Sequence, residues 1–142
     1  DHEKLKIPKY VYLYPVAKTK ILYGLYKSLP YILQEKKVIV FESEKSVMQS
    51  WSYGIKNCVA IGGLDISLTQ VLKLEKLGVD IVLAYDKGVS TREIKEQARK
   101  FLLSNVFALW DKDNMLRDKD SPSDNGKDVL KELLNKYVYK VR

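Results

Sequence analysis

The chain has 142 residues, 46% of them hydrophobic, and a net charge of +7; this is enough apolar material for one core, and a single domain is expected. No run of 18 apolar residues occurs and the N-terminus lacks the basic, apolar, small-residue order of a signal peptide, so a soluble, cytoplasmic protein with no membrane partner is expected, and the opening Asp1 in place of Met reads as a piece of something longer. The one cysteine, Cys58, lies in the apolar run NCVAI and excludes a disulfide framework or a Cys-rich zinc site within these residues; it reads as a small buried hydrophobe, and His2 as a solvated side chain.

In chain order, KYVYLY (residues 9–14) alternates with period two and predicts a short strand closed by Pro15. A helical pattern follows over 21–33, with Pro30 predicting a break or kink near Leu29. Residues 37–41 predict a buried strand, 43–53 a helix ended by Gly54, and 58–61 a second strand with Gly62-Gly63 as its turn. Ser67 is placed to cap a helix over 68–77, which Gly78 terminates. A third strand is predicted at 80–84, then a helix over 92–103 opened by Ser90 or Thr91 with Glu93. A fourth strand at 106–110, a long acidic loop at 111–126 and a helix over 129–136 complete the pattern. Strands alternating with helices predict an α/β fold with a four-stranded, mostly parallel sheet flanked by helices. A loop this long in a small domain is more often functional than idle.

Charge is unevenly placed. Residues 1–40 carry eight lysines against three acids, whereas residues 111–128 carry six aspartates against four basic residues. Tyr10, Tyr12, Tyr14, Tyr23, Tyr26 and Tyr31 lie among Lys9, Lys18, Lys20 and Lys27, an interleaving suited to stacking on bases beside phosphate contacts. The apolar runs VIVF and IVLAY each deliver a carboxylate just past a strand end, Glu42 and Asp86, and Asp111 follows the fourth strand in the same way. Ligands collect at the carboxyl ends of parallel strands, and magnesium is held there by a few carboxylates with water and substrate phosphate. No dinucleotide fingerprint, P-loop, nucleophile elbow or metal-binding His pair competes with this reading.

Three segments in order, ILYGLYKSLPYILQEKKVIVFESEKSV, NCVAIGGLDIS and IVLAYDKGVS, resemble the catalytic core of a DnaG-type bacterial or phage DNA primase. The family pattern is Leu-Tyr-Gly, a helix, a strand ending in Glu, a strand leading to a Gly turn, and a strand ending in Asp-x-Asp; the last three parts form the TOPRIM domain. The resemblance covers residues 16–134 and implies a TOPRIM-like fold with a small basic N-terminal piece: residues 1–35 the basic segment, 36–136 the TOPRIM domain and 137–142 a C-terminal tail.

Carried over by position, the resemblance implies that Glu42 is the TOPRIM glutamate, a general acid or base, and that Asp86 is a metal ligand. KDSPSDNG resembles the family's Asp-Pro-Ser-Asp with one residue inserted, making Asp120 and Asp124 candidate ligands and Asp111 and Asp113 the alternatives. Lys18, Lys20, Tyr23, Lys27, Lys45 and Lys87 are candidates for binding nucleic acid or nucleotide, and Gly62 and Gly63 for the turn. Two positions depart from the family: Gly88 replaces the second Asp of Asp-x-Asp, and Ser46 stands where another aspartate is often found.

The function implied is synthesis of RNA primers by a Mg2+- or Mn2+-dependent nucleotidyltransferase. Its partners would be a single-stranded DNA template, nucleoside triphosphates and, through regions outside this chain, the replicative helicase. A TOPRIM nuclease or topoisomerase-type activity and a non-catalytic nucleic-acid-binding module with a degraded metal site are the alternatives.

Overall fold

A computed structural model describes residues 21–142; the strand predicted at residues 9–14 and the candidates Lys18 and Lys20 lie outside the described residues. Within them the elements run α1 (Leu25–Glu35), β1 (Lys37–Phe41), α2 (Glu44–Ser52), β2 (Cys58–Ala60), α3 (Leu68–Lys76), β3 (Asp80–Ala84), α4 (Thr91–Ala98), β4 (Val106–Leu109), α5 (Lys127–Lys136) and β5 (Val138–Lys140). No helix among the described residues is long and apolar enough to cross a membrane.

The sheet has five strands, in the order β2-β1-β3-β4-β5. The first four pair in parallel, and β5 runs antiparallel to β4, with Ala108 opposite Tyr139. The four-strand expectation and the tail at 137–142 are therefore corrected: these residues carry a fifth strand. Its three residues have no buried face of their own, and only pairing with β4 makes them a strand.

Strand periodicity divides the core into two layers. Val38, Val40, Ile81, Leu83, Val106 and Ala108 pack with Val71 and Leu74 of α3 and Ile94 and Ala98 of α4. Ile39, Phe41 and Ala84 turn the other way, onto Val47 and Trp51 of α2 and Leu130 of α5. Cys58 is fully buried in this second layer, where loss of water pushes its thiol up to about 12.

Two helices differ from expectation. Pro30 lies inside α1 without breaking it. The proline withholds only its own N–H from the Tyr26 carbonyl, and Tyr26 is 94% exposed, so water can take up the freed acceptor, while Ser28 and Ile32 anchor the helix on either side of the ring. The predicted helix to 103 ends at Ala98 instead, because the Glu75 carboxylate accepts the N–H groups of Leu102, Leu103 and Ser104 at 2.8–3.1 Å. The expected caps form as full capping boxes, Ser67 with Gln70 and Ser90 with Glu93.

Leu22-Tyr23-Gly24 is tied to the edge of β2. Tyr23 and Ala60 exchange backbone hydrogen bonds of 2.9 and 3.1 Å, and Gly24 then turns into α1 with φ +83°. A methyl group at Gly24 would stand 3.2 Å from Val47 Cγ1, whereas Gly54, at φ +82°, faces open space. Gly24→Ala is therefore expected to cost about 2 kcal/mol and Gly54→Ala about 1 kcal/mol, as urea denaturation of the two variants would measure.

Candidate metal and phosphoryl-transfer site

The chain reverses its direction of travel across the sheet between β1 and β3. From β1 it crosses through α2 in one layer to β2; from β3 it crosses through α4 in the opposite layer to β4. A crevice opens at such a switch point, outside the carboxyl ends of the two strands. Phe41 is level with Ala84 in the β1–β3 register, so Glu42 and Asp86 leave the sheet beside each other. The Asp86 backbone N–H donates to Glu42 Oε1 at 3.1 Å. Glu42, Ser43, Lys45, Gly62, Gly63 and Asp86 line a cleft of about 380 Å³, and the Gly62 N–H donates to the Glu42 carbonyl at 2.8 Å, which ties the glycine turn to it.

Both strand-end acids hold their protons more tightly than usual. Glu42 is raised by burial and by the charges of Asp86 and Glu93, against the opposing effect of the Asp86 amide. Asp86 is raised by burial and by Asp124 and Asp120, with Lys45 opposing. Asp86 Oδ1 is buried with no hydrogen-bond partner. A buried carboxylate oxygen without a donor carries a full desolvation cost.

The acidic loop at 111–126 is fastened to the segment after β3 through Lys87. Its N–H donates to the Asp120 carbonyl at 2.7 Å, its carbonyl accepts the Lys119 N–H at 2.9 Å, and its ammonium reaches Asp111 Oδ2 at 2.7 Å and Asn114 Oδ1 at 2.8 Å. A ladder of hydroxyls makes the second attachment: Ser46 Oγ lies 2.7 Å from Ser121 Oγ, which lies 3.0 Å from Ser123 Oγ, which donates to Gln49 at 2.6 Å. Ser46, where the family pattern often has a carboxylate, is fully buried in this ladder.

The candidate residues divide accordingly. Glu42, Asp86, Lys45, Gly62 and Gly63 share one cleft. Asp124 is linked to it through Lys45, 3.0 Å away, and accepts the Ser121 N–H at 2.7 Å; burial opposes its ionisation, but these contacts outweigh it and hold the carboxyl below its usual range. Asp120 accepts from the Arg117 amide and Asn125. Asp111 is spent on Lys87 and the amides of Met115 and Leu116, and Asp113 on the Tyr137 hydroxyl. Lys87 holds the loop, and Tyr23 seals the sheet edge. Lys27 sits over the Trp51 ring, 5.3 Å from its centroid, on the α1–α2 surface; Lys56 lies at the same distance and Tyr31 meets the ring edge-on at 5.6 Å. Sequence reasoning missed Trp51 and Lys56, and the serines of the loop; the Ser-x-Ser spacing at 121 and 123 was their signal.

Among the described residues, no three His, Cys, Asp or Glu side chains are grouped closely enough to hold a metal ion by themselves. The chemistry of the cleft nevertheless fits magnesium, which takes one or two carboxylates and completes its shell with water and substrate phosphate. The partnerless Asp86 Oδ1 beside the raised Glu42 is the local sign of that fit.

Fold and site together define an α/β domain with acids gathered at the carboxyl edge of a parallel sheet. The chain is a homologue of DnaG-type DNA primases and has the fold of their catalytic core. It is 36% identical over 138 residues to the SPbeta prophage-derived uncharacterized protein YorJ of Bacillus subtilis, a match covering 82% of this chain and 36% of YorJ. A DNA primase of Aquifex aeolicus is 28% identical over 122 residues, 80% of this chain and 23% of that protein. The crystal structure of the Aquifex aeolicus primase zinc-binding and RNA polymerase domains superposes with a TM-score of 0.72 at 25% identity, over 87% of this chain and 31% of that one. A DnaG primase catalytic domain bound to single-stranded DNA shares the fold at a TM-score of 0.64 and 17% identity, over 87% of this chain and 40% of that one. No family model matches the chain. The chain thus spans about a third of YorJ and a quarter of the Aquifex primase.

A carboxyl whose folded pKa lies above its unfolded value gives stability that is complete below the unfolded value and lost as pH rises through the folded one. Ionised Asp86 therefore costs the cation-free fold stability at neutral pH. Asp86→Asn is expected to raise the cation-free melting temperature at pH 7 by about 3 °C, with the gain fading as the pH falls through the raised range, where Asp86 regains its proton. Thermal melts in chelator across the acid range would measure this.

Proposed function

We propose that this chain is the catalytic part of a primase, joining ribonucleotides on a single-stranded DNA template. The observation that carries the reading is Asp86 Oδ1, buried and without a donor, beside the carboxyl of Glu42, raised above its usual range by burial, at the switch point of the sheet. Asp86, with Glu42 beside it, would hold a divalent cation. When bound, that cation supplies Lewis-acid neutralisation of phosphate charge and promotes ionisation of a hydroxyl.

The remaining steps belong to side chains. With Oε1 engaged by the Asp86 amide, Glu42 is left Oε2 to take the proton of the primer 3′-hydroxyl. That oxygen forms the new ester bond to the α-phosphate of the incoming nucleoside triphosphate as the bond to the β-phosphate breaks and pyrophosphate leaves. Lys45, with a side chain 61% exposed, can swing from Asp124 onto the triphosphate. The template is assigned to the α1–α2 surface, where Tyr26 stands out into solvent and Lys27 and Lys56 flank Trp51; aromatic faces for bases and ammonium groups for phosphates are what single strands require. The non-catalytic alternative is favoured by one observation, the glycine at 88, which brings no side-chain ligand.

Primer synthesis with nucleoside triphosphates on single-stranded DNA tests the reading. Asp86→Asn and Glu42→Gln are each expected to slow it by about 10²-fold or more with DNA affinity retained; wild-type rates in both variants would overturn it. Tyr26→Ala and Lys27→Ala are expected to weaken binding of single-stranded DNA, and Lys27→Ala to flatten its salt dependence as well, as fluorescence anisotropy across a salt series would show.

A further inference from the structure

We propose that Trp110 is the stacking platform for the nucleobase of the incoming nucleoside triphosphate, in a cavity beside the acids at the end of β3. The inference rests on the primase reading above and goes beyond it by assigning a base subsite that the family pattern does not mark. The cavity, of about 190 Å³, opens at the carboxyl edge of the sheet between β3 and β4. Asp86 lines it and also lines the cleft shared with Glu42 and Lys45, so one carboxylate stands where the two spaces meet. A ligand whose phosphates lie against Lys45 and the strand-end acids has this cavity directly beyond Asp86.

Trp110 is the residue after β4 and forms part of the cavity wall. Val106 and Ala108 are fully buried, but Trp110, next on that face by strand alternation, lies past the end of the core and is 58% exposed. Exposure alone is ordinary for a single apolar side chain; the surroundings set this one apart. The Lys112 ammonium lies over the ring, 5.9 Å from its centroid. Val89, Ile94, Leu116 and Leu133 give the cavity an apolar lining, and Tyr139 and Thr91 add hydroxyls to it. Neither hydroxyl, nor the indole N–H, is engaged in a hydrogen bond among the described residues. A flat ring, an apolar lining and a few uncommitted polar groups are what a nucleobase requires. The volume is below that of sites enclosing whole drug-sized ligands, which suits a base whose phosphates stay outside at the acids.

The platform is fixed from both sides. The Trp110 N–H donates to the Tyr137 carbonyl of the neighbouring chain segment at 2.9 Å, and Asp111 binds the Lys87 ammonium at 2.7 Å. The cavity shares no lining residue with the groove beside Trp51 on the α1–α2 surface, so template and incoming base have separate indoles.

The test is equilibrium dialysis of the 142-residue chain against ATP and against inorganic tripolyphosphate, both with Mg2+, alongside fluorescence anisotropy of single-stranded DNA. Trp110→Ala is expected to weaken ATP binding about tenfold or more and to leave tripolyphosphate and DNA at wild-type affinity, since neither uses this ring. Trp110→Phe, which keeps a stacking face, is expected to retain most of the ATP affinity. If Trp110→Ala binds ATP as the wild type does, or loses ATP and tripolyphosphate alike, the indole holds no base and this inference alone falls. Loss of DNA with ATP affinity kept would assign the indole to the strand and overturn it equally. If the wild-type chain binds no nucleoside triphosphate, the primase reading falls and takes this inference with it.

Discussion

The pairing of Phe41 with Ala84 at the carboxyl end of β1 and β3 obliges Glu42 and Asp86 to leave the sheet side by side, and the Asp86 amide is spent on Glu42 Oε1. Two acids are thus held at close quarters by backbone register, not by attraction between them. Burial raises the proton affinity of both, helped at Glu42 by the charges of Asp86 and Glu93 and at Asp86 by those of Asp124 and Asp120. The surrounding core keeps them there: Phe41 and Ala84 are fully buried beneath them, and a slip of one residue would turn every strand residue to the wrong layer. The site is a place where the fold tolerates a local cost that a bound cation would offset.

The acidic loop gains its order from this same edge. Lys87 contributes its amide, its carbonyl and its ammonium to holding the loop, which makes the residue between the two Asp-x-Asp positions a structural anchor. The serine ladder from Ser46 to Ser123 provides a second, buried attachment. With two fastenings, a segment lacking regular structure can present particular side chains to the crevice. Its remaining carboxylates are drawn into turns and ion pairs that shape the loop itself.

A separate surface collects the aromatic and basic side chains of α1 and α2. The Trp51 indole donates to Ser28 at 3.1 Å, fastening the two helices together, and keeps Lys27 and Lys56 near its ring. Close approach at Gly24 lets α1 lie against α2. The Leu-Tyr-Gly block therefore has a packing role in joining this surface to the edge of β2, apart from any contact with substrate.

The amino-acid sequence alone carried the parallel strands, the helix starts near Ser67 and Ser90 and the two acids past the ends of β1 and β3, because apolar periodicity, cap chemistry and turn glycines act within a few residues of one another. It also carried the resemblance to primase cores, through the order of its segments. Only the tertiary structure decided that β5 is a strand, that Pro30 is absorbed within α1, and which loop aspartates are consumed in holding the loop. The strand needs β4 as its partner, and the loop acids were told apart by contacts with Lys87, Tyr137 and Lys45.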